Sequence, residues 1–458
     1  MSACEKNSRW PLVLELATSM MRERVCDSAI AHSSIISACE AAGAWESALS
    51  FAVAADQHGH AAMCNAAVSA CAKGDKWEFV FESFDVAAGG AALCGATNAA
   101  TMCRTAIGAC QRSALWARAV AVASMVRRQG LELCGVGVGM MAETLNGAGL
   151  LESAQMVLER ARMSWMNAGG ALGAKGMVFK ALSASGKVEH VRRPLAVRYI
   201  REGVGVVALS KPAGLTNDAA LDWLRNKMQE AGPGICAITS VTCVSRLDFL
   251  TSGVLVAALG DEASPATQWL RAQFAGRSVS KEYVCLTSGV PLSRVGTEGD
   301  VTSRLHVSRA GENTFWTSVS PHGKDASTAY EALAHYTPSQ ELACADLGCD
   351  EVLLLFLLRP RTGRTHQIRA HLASIGRPLV SDSVYNSERL RRDVTWCPRV
   401  FLHCRRVDIR DLSGKGIAAR APLSQDLVSA LAKLTRLEDG MPAPASPRHL
   451  DGGRRGTP

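Results

Sequence analysis

Apolar and polar positions change their spacing once along the chain, near residue 190. Before that point, stretches such as Ser34-Ile-Ile-Ser-Ala-Cys39 are followed by a glycine and then by a segment like Trp45-Glu-Ser-Ala-Leu49. Each such pair reads as two helices, Gly43 breaking the first and the tryptophan opening the second. Beyond it, Val204–Leu209, Gly253–Ala258, Tyr283–Leu286 and Val352–Leu358 are short strand-like runs bounded by Gly, Pro and Asp. Helices are expected over residues 219–230, 266–275 and 366–375. Strands interrupted by a few helices predict an α+β domain with a largely antiparallel sheet. The longest clean apolar run, Val352–Leu358, has seven residues, far short of the ~20 that a membrane-spanning helix needs. No membrane partner is expected.

The helical half repeats itself. Ser2-Ala-Cys-Glu-Lys-Asn-Ser-Arg-Trp10, Ser37-Ala-Cys-Glu-Ala-Ala-Gly-Ala-Trp45, Ser69-Ala-Cys-Ala-Lys-Gly-Asp-Lys-Trp77 and Gly108-Ala-Cys-Gln-Arg-Ser-Ala-Leu-Trp116 align, with Trp-to-Trp steps of 35, 32 and 39. Leu145–Ala154 reads as a fifth, decayed copy with Leu151 at the tryptophan position. A single unit cannot bury its own apolar stripe, so neighbours are expected to stack into an α-solenoid. The small residues around each cysteine allow close approach, and the tryptophans are expected to fill the space between units. In period and in its cysteine-bearing first helix the array resembles pentatricopeptide (PPR) repeats. That resemblance implies reading of RNA bases by the residues six before each cysteine, Ser33, Asn65 and Arg104. A protein-docking role is the alternative. Met1 opens inside a repeat, so an upstream segment is expected; if it carries a targeting signal, a mitochondrion or chloroplast is favoured over the cytosol.

Charge separates the halves. Up to Lys175 there are 14 basic and 15 acidic residues, and the remainder holds 50 − 14 = 36 basic against 42 − 15 = 27 acidic. The whole positive excess therefore lies in the second half, where it fits a polyanionic partner. The 16 cysteines are scattered and form no Cys-x-x-Cys pair, which argues against a disulfide framework and a structural zinc site and for a reducing compartment. The predicted order is a repeat array over residues 1–166, a Gly/Ala/Ser-rich linker over 167–190, an α+β domain over 191–434 and a disordered tail over 435–458. The polar stretch from Pro291 to Ser327 is expected to be a substrate-facing or disordered insertion.

Four blocks in the second half carry the chemistry: Ser210-Lys-Pro-Ala-Gly-Leu215, Ser245-Arg-Leu-Asp-Phe-Leu-Thr-Ser-Gly253, Lys281-Glu-Tyr283 and Arg359-Pro-Arg-Thr-Gly-Arg-Thr-His-Gln-Ile-Arg-Ala-His-Leu372. In this order they resemble the RluA-type pseudouridine synthase family over roughly residues 191–434. The resemblance implies isomerisation of uridine in RNA (rRNA, tRNA or an organellar transcript), with no metal or organic cofactor. It places the catalytic aspartate at Asp248, the active-site tyrosine at Tyr283 and the arginine that partners the aspartate at Arg364. Arg246 matches the residue that fills the space left by an extruded uridine. Thr251 and Ser252 are expected to cap the turn that presents Asp248, with Thr251 close to substrate. Lys211, Arg361, His366, Arg369 and His371 are placed with the RNA. Ser245 and Ser381 stand where the family has His and Gly.

The reaction explains these residue types. Uridine becomes pseudouridine by breaking the N1–C1′ bond, turning the base and rejoining it through C5. A carboxylate must either attack C1′ or remove the 2′ proton to give a glycal. A fixed guanidinium keeps such a carboxylate charged where RNA excludes water. An aromatic ring offers the uracil a stacking face, and its hydroxyl could assist loss of the C5 proton. The rival reading is a non-catalytic RNA-binding protein that uses the same basic cleft.

Overall fold

The structure, a computed structural model, describes residues 96–112, 114–128, 133–168, 197–230, 240–289, 294–309, 315–339 and 352–437, with a few scattered positions between 19 and 80. Ser33, Asn65, most of the expected linker and most of the expected tail lie outside the described residues; Asn167 and Ala168 of the expected linker end a helix. The chain divides into two compact units. Among the described residues no helix is long and apolar enough to cross a membrane.

The first unit holds Met1–Leu172 together with Gly260–Ser278 and Leu412–Gly414. Its described helices are α1 (Ala96–Arg112), α2 (Trp116–Arg128), α3 (Gly135–Gly147), α4 (Leu151–Ala168) and, from the later segment, α6 (Pro265–Ala275). Ala114 and Gly149, both at positive φ, separate α1 from α2 and α3 from α4. Met102, Ala106, Ile107, Cys110, Val122 and Leu145 form the core, and the small Ala109 beside Cys110 is buried with them. Trp116 does not play its expected part; Trp10, Trp45 and Trp77 lie outside the described residues. Trp116 is 43 % exposed, and Leu151, its counterpart in the next pair, is 63 % exposed. Each opens the second helix of its pair, before the turn that faces the core. The glycines of Gly135-Val-Gly-Val-Gly139 set α3 directly on α6, where a Cβ at Gly139 would lie 2.2 Å from the carbonyl oxygen of Ala272. Ser264 starts α6 by accepting from the Thr267 amide at 3.3 Å, with Pro265 behind it.

The second unit is built on one sheet whose strands run in the order β1 (Arg198–Gly203), β2 (Val206–Lys211), β4 (Ser252–Leu259), β11 (Leu402–Arg410), β5 (Ser280–Thr287), β10 (Leu353–Pro360), β9 (Thr328–Pro338) and β13 (Leu434–Arg436). β3 (Val241–Cys243), β6 (Glu298–Val301) and β12 (Gly416–Arg420) pair with β4, β9 and β11. Every pairing is antiparallel except β4 with β11, where Ser252 faces His403 and Gly253 faces Cys404. β10 explains the long apolar run. Leu354, Phe356 and Leu358 point into a core with Ile368, Leu372 and Leu402, and Leu353 and Leu355 point into another with Trp396, Phe401 and Leu427. A strand covered on both faces has no polar side to alternate with. The remaining helices are α5 (Asn217–Glu230), α7 (Gln367–Ser374), α8 (Ser387–Asp393) and α9 (Gln425–Leu431).

Two expectations change. The stretch from Pro291 to Ser327 is not all irregular: it contributes β6 and a hairpin of β7 (Leu305–Arg309) and β8 (Phe315–Val319). The sheet also runs past Leu434, since Thr435 and Arg436 pair with Thr337 and Tyr336 on β9.

Gly253 lies where the Arg-Leu-Asp loop enters β4. Its φ is +118° and a Cβ there would meet the Cys404 carbonyl oxygen at 2.1 Å. Gly253→Ala is expected to lower unfolding stability by at least ~1–3 kcal/mol through backbone conformation alone, measured by urea titration.

Candidate active site

Asp248 sits in a loop between β3 and β4 whose backbone is tied down on both sides. The Asn217 side chain pairs with Leu247, donating to its carbonyl at 3.0 Å and accepting from its amide at 3.1 Å. Lys211 donates to Phe249 O at 3.3 Å as well as to Pro212 O at 3.1 Å and Leu215 O at 2.8 Å. Gly214 N adds a second donor to Phe249 O at 2.8 Å. Arg399 donates to Leu250 O at 3.0 Å and to Ser252 Oγ at 2.9 Å, while its Nε pairs with Asp426 on α9 at 2.6 Å. Ser245 Oγ exchanges hydrogen bonds with Val256 at 3.0 and 3.1 Å, fastening the start of the loop to β4. With its neighbours on both sides held, Asp248 is left 31 % exposed at the side chain.

The guanidinium that faces Asp248 belongs to Arg369. Its Nη1 lies 3.4 Å from Asp248 Oδ2, and its Nε and Nη2 grip both oxygens of Asp382 at 2.7 Å. Arg364, expected in this role, instead turns its Nε and Nη2 to the carbonyl of Asp325, 3.3 Å from each. The helical period accounts for the difference: Arg369 lies on α7 with its side chain pointing inward, whereas Arg364 is in the turn before it. That turn is wound around Gln367, whose side chain accepts from Thr362 Oγ1 (2.7 Å) and Arg364 N (3.0 Å) and donates to Ser327 O (3.0 Å) and Thr328 Oγ1 (2.9 Å).

Asp382 is fully buried and also accepts the amides of Val384 (2.9 Å) and Tyr385 (3.1 Å). Burial pushes its carboxyl up, but the pairing with Arg369 and the two amides outweigh it and hold it below the usual range. Burial likewise pulls Arg369 down, and the carboxylates of Asp382 and Asp248 raise it above its ordinary value. The guanidinium lies 5.3 Å from the centre of the Tyr385 ring. Ser381, before Asp382, adopts φ +57°. A glycine would take that conformation without strain; the serine offsets it by donating to Cys397 O at 2.5 Å.

Tyr283 stands on β5 directly across from Cys404 of β11. Burial first, then Cys404 and the charge of Asp248, push the phenol well above its ordinary value. It is a neutral hydroxyl at pH 7 rather than a ready base. His366, at φ +51°, places Nε2 4.0 Å from Asp248 Oδ2 and packs edge-on to Tyr385.

The other expected positions divide. Arg246 is exposed beside Asp248, and Arg361 is exposed with Asp300 at 3.2 Å. Arg104 is exposed on α1, in the first unit. Lys211, Thr251 and His371 cannot touch RNA because they are buried at 0, 2 and 0 % exposure. The Lys211 ammonium, pushed to about 8 by burial with repulsion from Arg399 added, is used up on three carbonyls. His371 bonds Thr328 Oγ1 and Ser303 O, both at 3.0 Å. Ser252, not Thr251, ties the loop end to His403 Nδ1 at 2.9 Å. Asn217, Tyr385 and Arg399 carried no motif by which they could be picked out. Asp382 follows the fourth block in the chain, where Ser381-Asp382 stands for the family's Gly-Asp, and no role attached to it there.

Residues 205–374 match the sequence model of the RNA pseudouridylate synthase family, and the second half of the chain carries an RluA-type pseudouridine synthase domain. Over 255 residues the chain is 29 % identical to ribosomal large subunit pseudouridine synthase D of Xanthomonas campestris pv. campestris, a match that spans 53 % of this chain and 70 % of that one. Over 228 residues it is 29 % identical to pseudouridylate synthase RPUSD2 of Mus musculus, across 45 % of this chain but only 37 % of the mouse protein. The solved human RNA Pseudouridylate Synthase Domain Containing 1 aligns with a TM-score of 0.42 and 20 % identity, over 55 % of this chain and 98 % of its own.

The Asp382–Arg369 pair makes a stability prediction with a definite sign. A carboxylate held below its ordinary value adds stability above the unfolded value near 4, and that stability is lost as pH falls through the lower folded value. Asp382→Asn is expected to lower unfolding stability by ~3 kcal/mol at pH 7, since it leaves a buried cation short of its partner. The gap to wild type narrows once the pH falls below about 4, as read from urea titrations across pH.

Proposed function

We propose that this protein isomerises uridine in RNA to pseudouridine, with Asp248 as the carboxylate that engages the ribose. The observation that carries the reading is the Asp382–Arg369–Asp248 chain: a buried acid aims a guanidinium at a half-exposed carboxylate on a fastened loop. A carboxylate so paired is ready either to attack C1′ or to take the 2′ proton, and Arg369 keeps its charge in place when RNA seals the cleft. Tyr283 supplies the face on which uracil stacks. Arg246, exposed beside Asp248, is positioned to enter the space that the extruded nucleotide leaves in the RNA stack. The relatives' names favour ribosomal RNA as the substrate class.

The repeat array is proposed to bind RNA in the manner of PPR repeats, with Arg104 on the exposed side of α1. Tethering raises the local concentration of substrate at the second unit. Arg104→Ala is expected to weaken RNA binding by about 1 kcal/mol without changing kcat, as measured by filter binding and turnover.

Asp248→Ala tests the central reading. Loss of pseudouridine formation with RNA affinity nearly intact is expected; wild type and variant that both bind RNA and both form no pseudouridine would instead favour the binding-only alternative.

A further inference from the structure

Pseudouridine formation requires that the C5 proton leave after C5 has joined C1′, and Tyr283 is badly suited to take it. Its phenol is neutral at pH 7, pushed well above its ordinary value by burial, by Cys404 and by the charge of Asp248. We propose that His366 is the catalytic base that removes the C5 proton, through Nε2. This assignment rests on the isomerase reading above.

The first support is position. Nε2 lies 4.0 Å from Asp248 Oδ2, so whatever Asp248 engages at the ribose is beside the imidazole. At this stage C5 is bonded directly to C1′, about 1.5 Å away, and its hydrogen is therefore carried next to the same oxygen. The group that must find this proton need not be distant from the carboxylate, and His366 is not.

The second support is the tautomer. The Tyr385 hydroxyl donates to Thr317 O at 2.9 Å and accepts from Thr317 N at 3.1 Å. With its proton committed there, what it offers His366 Nδ1, 3.5 Å away, is a lone pair. The hydrogen of a neutral imidazole then belongs on Nδ1, and Nε2 keeps the lone pair that a base needs. The third support is charge state. Burial and the neighbouring Arg369 hold the imidazole below its ordinary value, against the opposite pull of Asp248 and Asp382. It is neutral at pH 7, and once protonated it stands beside the Asp248 carboxylate, which favours the cation.

The step balances. The C5–H bond breaks, its electron pair becomes the C5–C6 double bond, and the proton goes to Nε2. The C6–N1 π pair returns to N1, which takes a proton in turn. One proton has moved from C5 to N1, and nothing is oxidised or reduced.

The test uses the full chain carrying His366→Asn, because asparagine tolerates the left-handed backbone that His366 adopts. Transcripts of large-subunit ribosomal RNA and of tRNAs are made with ordinary UTP or with UTP deuterated at C5, and turnover is followed by pseudouridine content. The expected result is a kcat lower by about 10²- to 10⁴-fold, with KM and unfolding midpoint little changed and a C5-deuterium effect on kcat clearly larger than in wild type. A fall in kcat with no growth in the deuterium effect overturns the assignment, since a merely structural role or proton removal by Asp248 would leave that step's share unchanged. A deuterium effect that grows in Tyr283→Phe and not in His366→Asn overturns it as well. A wild type that forms no pseudouridine in any transcript removes the isomerase reading first, and this assignment with it.

Discussion

The site depends on one guanidinium shared unequally between two acids. Asp382 takes Nε and Nη2 of Arg369 in a buried, two-pronged grip, and only Nη1 is left for Asp248 at the longer distance of 3.4 Å. The asymmetry is useful. A bidentate pair fixes the plane of an arginine as well as its charge, so the direction in which the third nitrogen points is set before any RNA arrives. The looser contact leaves the Asp248 carboxylate 31 % exposed at the side chain. A symmetrical arrangement would hold both acids equally and leave neither one open to solvent.

The loop that bears Asp248 obeys the same economy. Its own side chains do little of the fastening; Asn217, Lys211 and Arg399 reach in from α5, β2 and the segment before β11 to hold its carbonyls. Lys211 is the clearest instance. An ammonium buried this fully would be expensive without three acceptors, and it finds three within hydrogen-bond distance. Lys211 and Arg399 are therefore committed to structure, whereas Arg246 and Arg361 stand exposed.

Much of this was legible in the residues, and the failures have physical causes. The strand runs and the helices over residues 219–230, 266–275 and 366–375 appear where apolar spacing placed them, within a few residues at each end. Asp248 lies just before β4 and Tyr283 on β5, near enough for the charge of Asp248 to raise the phenol. The partner arginine was assigned to Arg364 rather than Arg369, five positions away, because a linear motif does not say which of its residues turns inward once a helix begins. Lys211 and His371 were read as phosphate ligands from charge alone, and burial is not visible in charge. Asn217, Arg399 and Tyr385 act across distances in sequence that no local pattern spans. Trp116 misleads for the opposite reason: regular recurrence was taken as packing, yet the residue is 43 % exposed.

The role of Arg399 reaches to the end of the described chain. Its guanidinium joins Leu250 and Ser252, at the far end of the Asp248 loop, to Ser424 and Asp426 at the start of α9. Every recognisable motif of the synthase lies upstream of that helix. A prematurely terminated product ending near Ala421 would keep each signature and still strand a buried positive charge behind the reactive loop, so motif content alone is an unsafe criterion for judging which shortened forms of this gene product are enzymes.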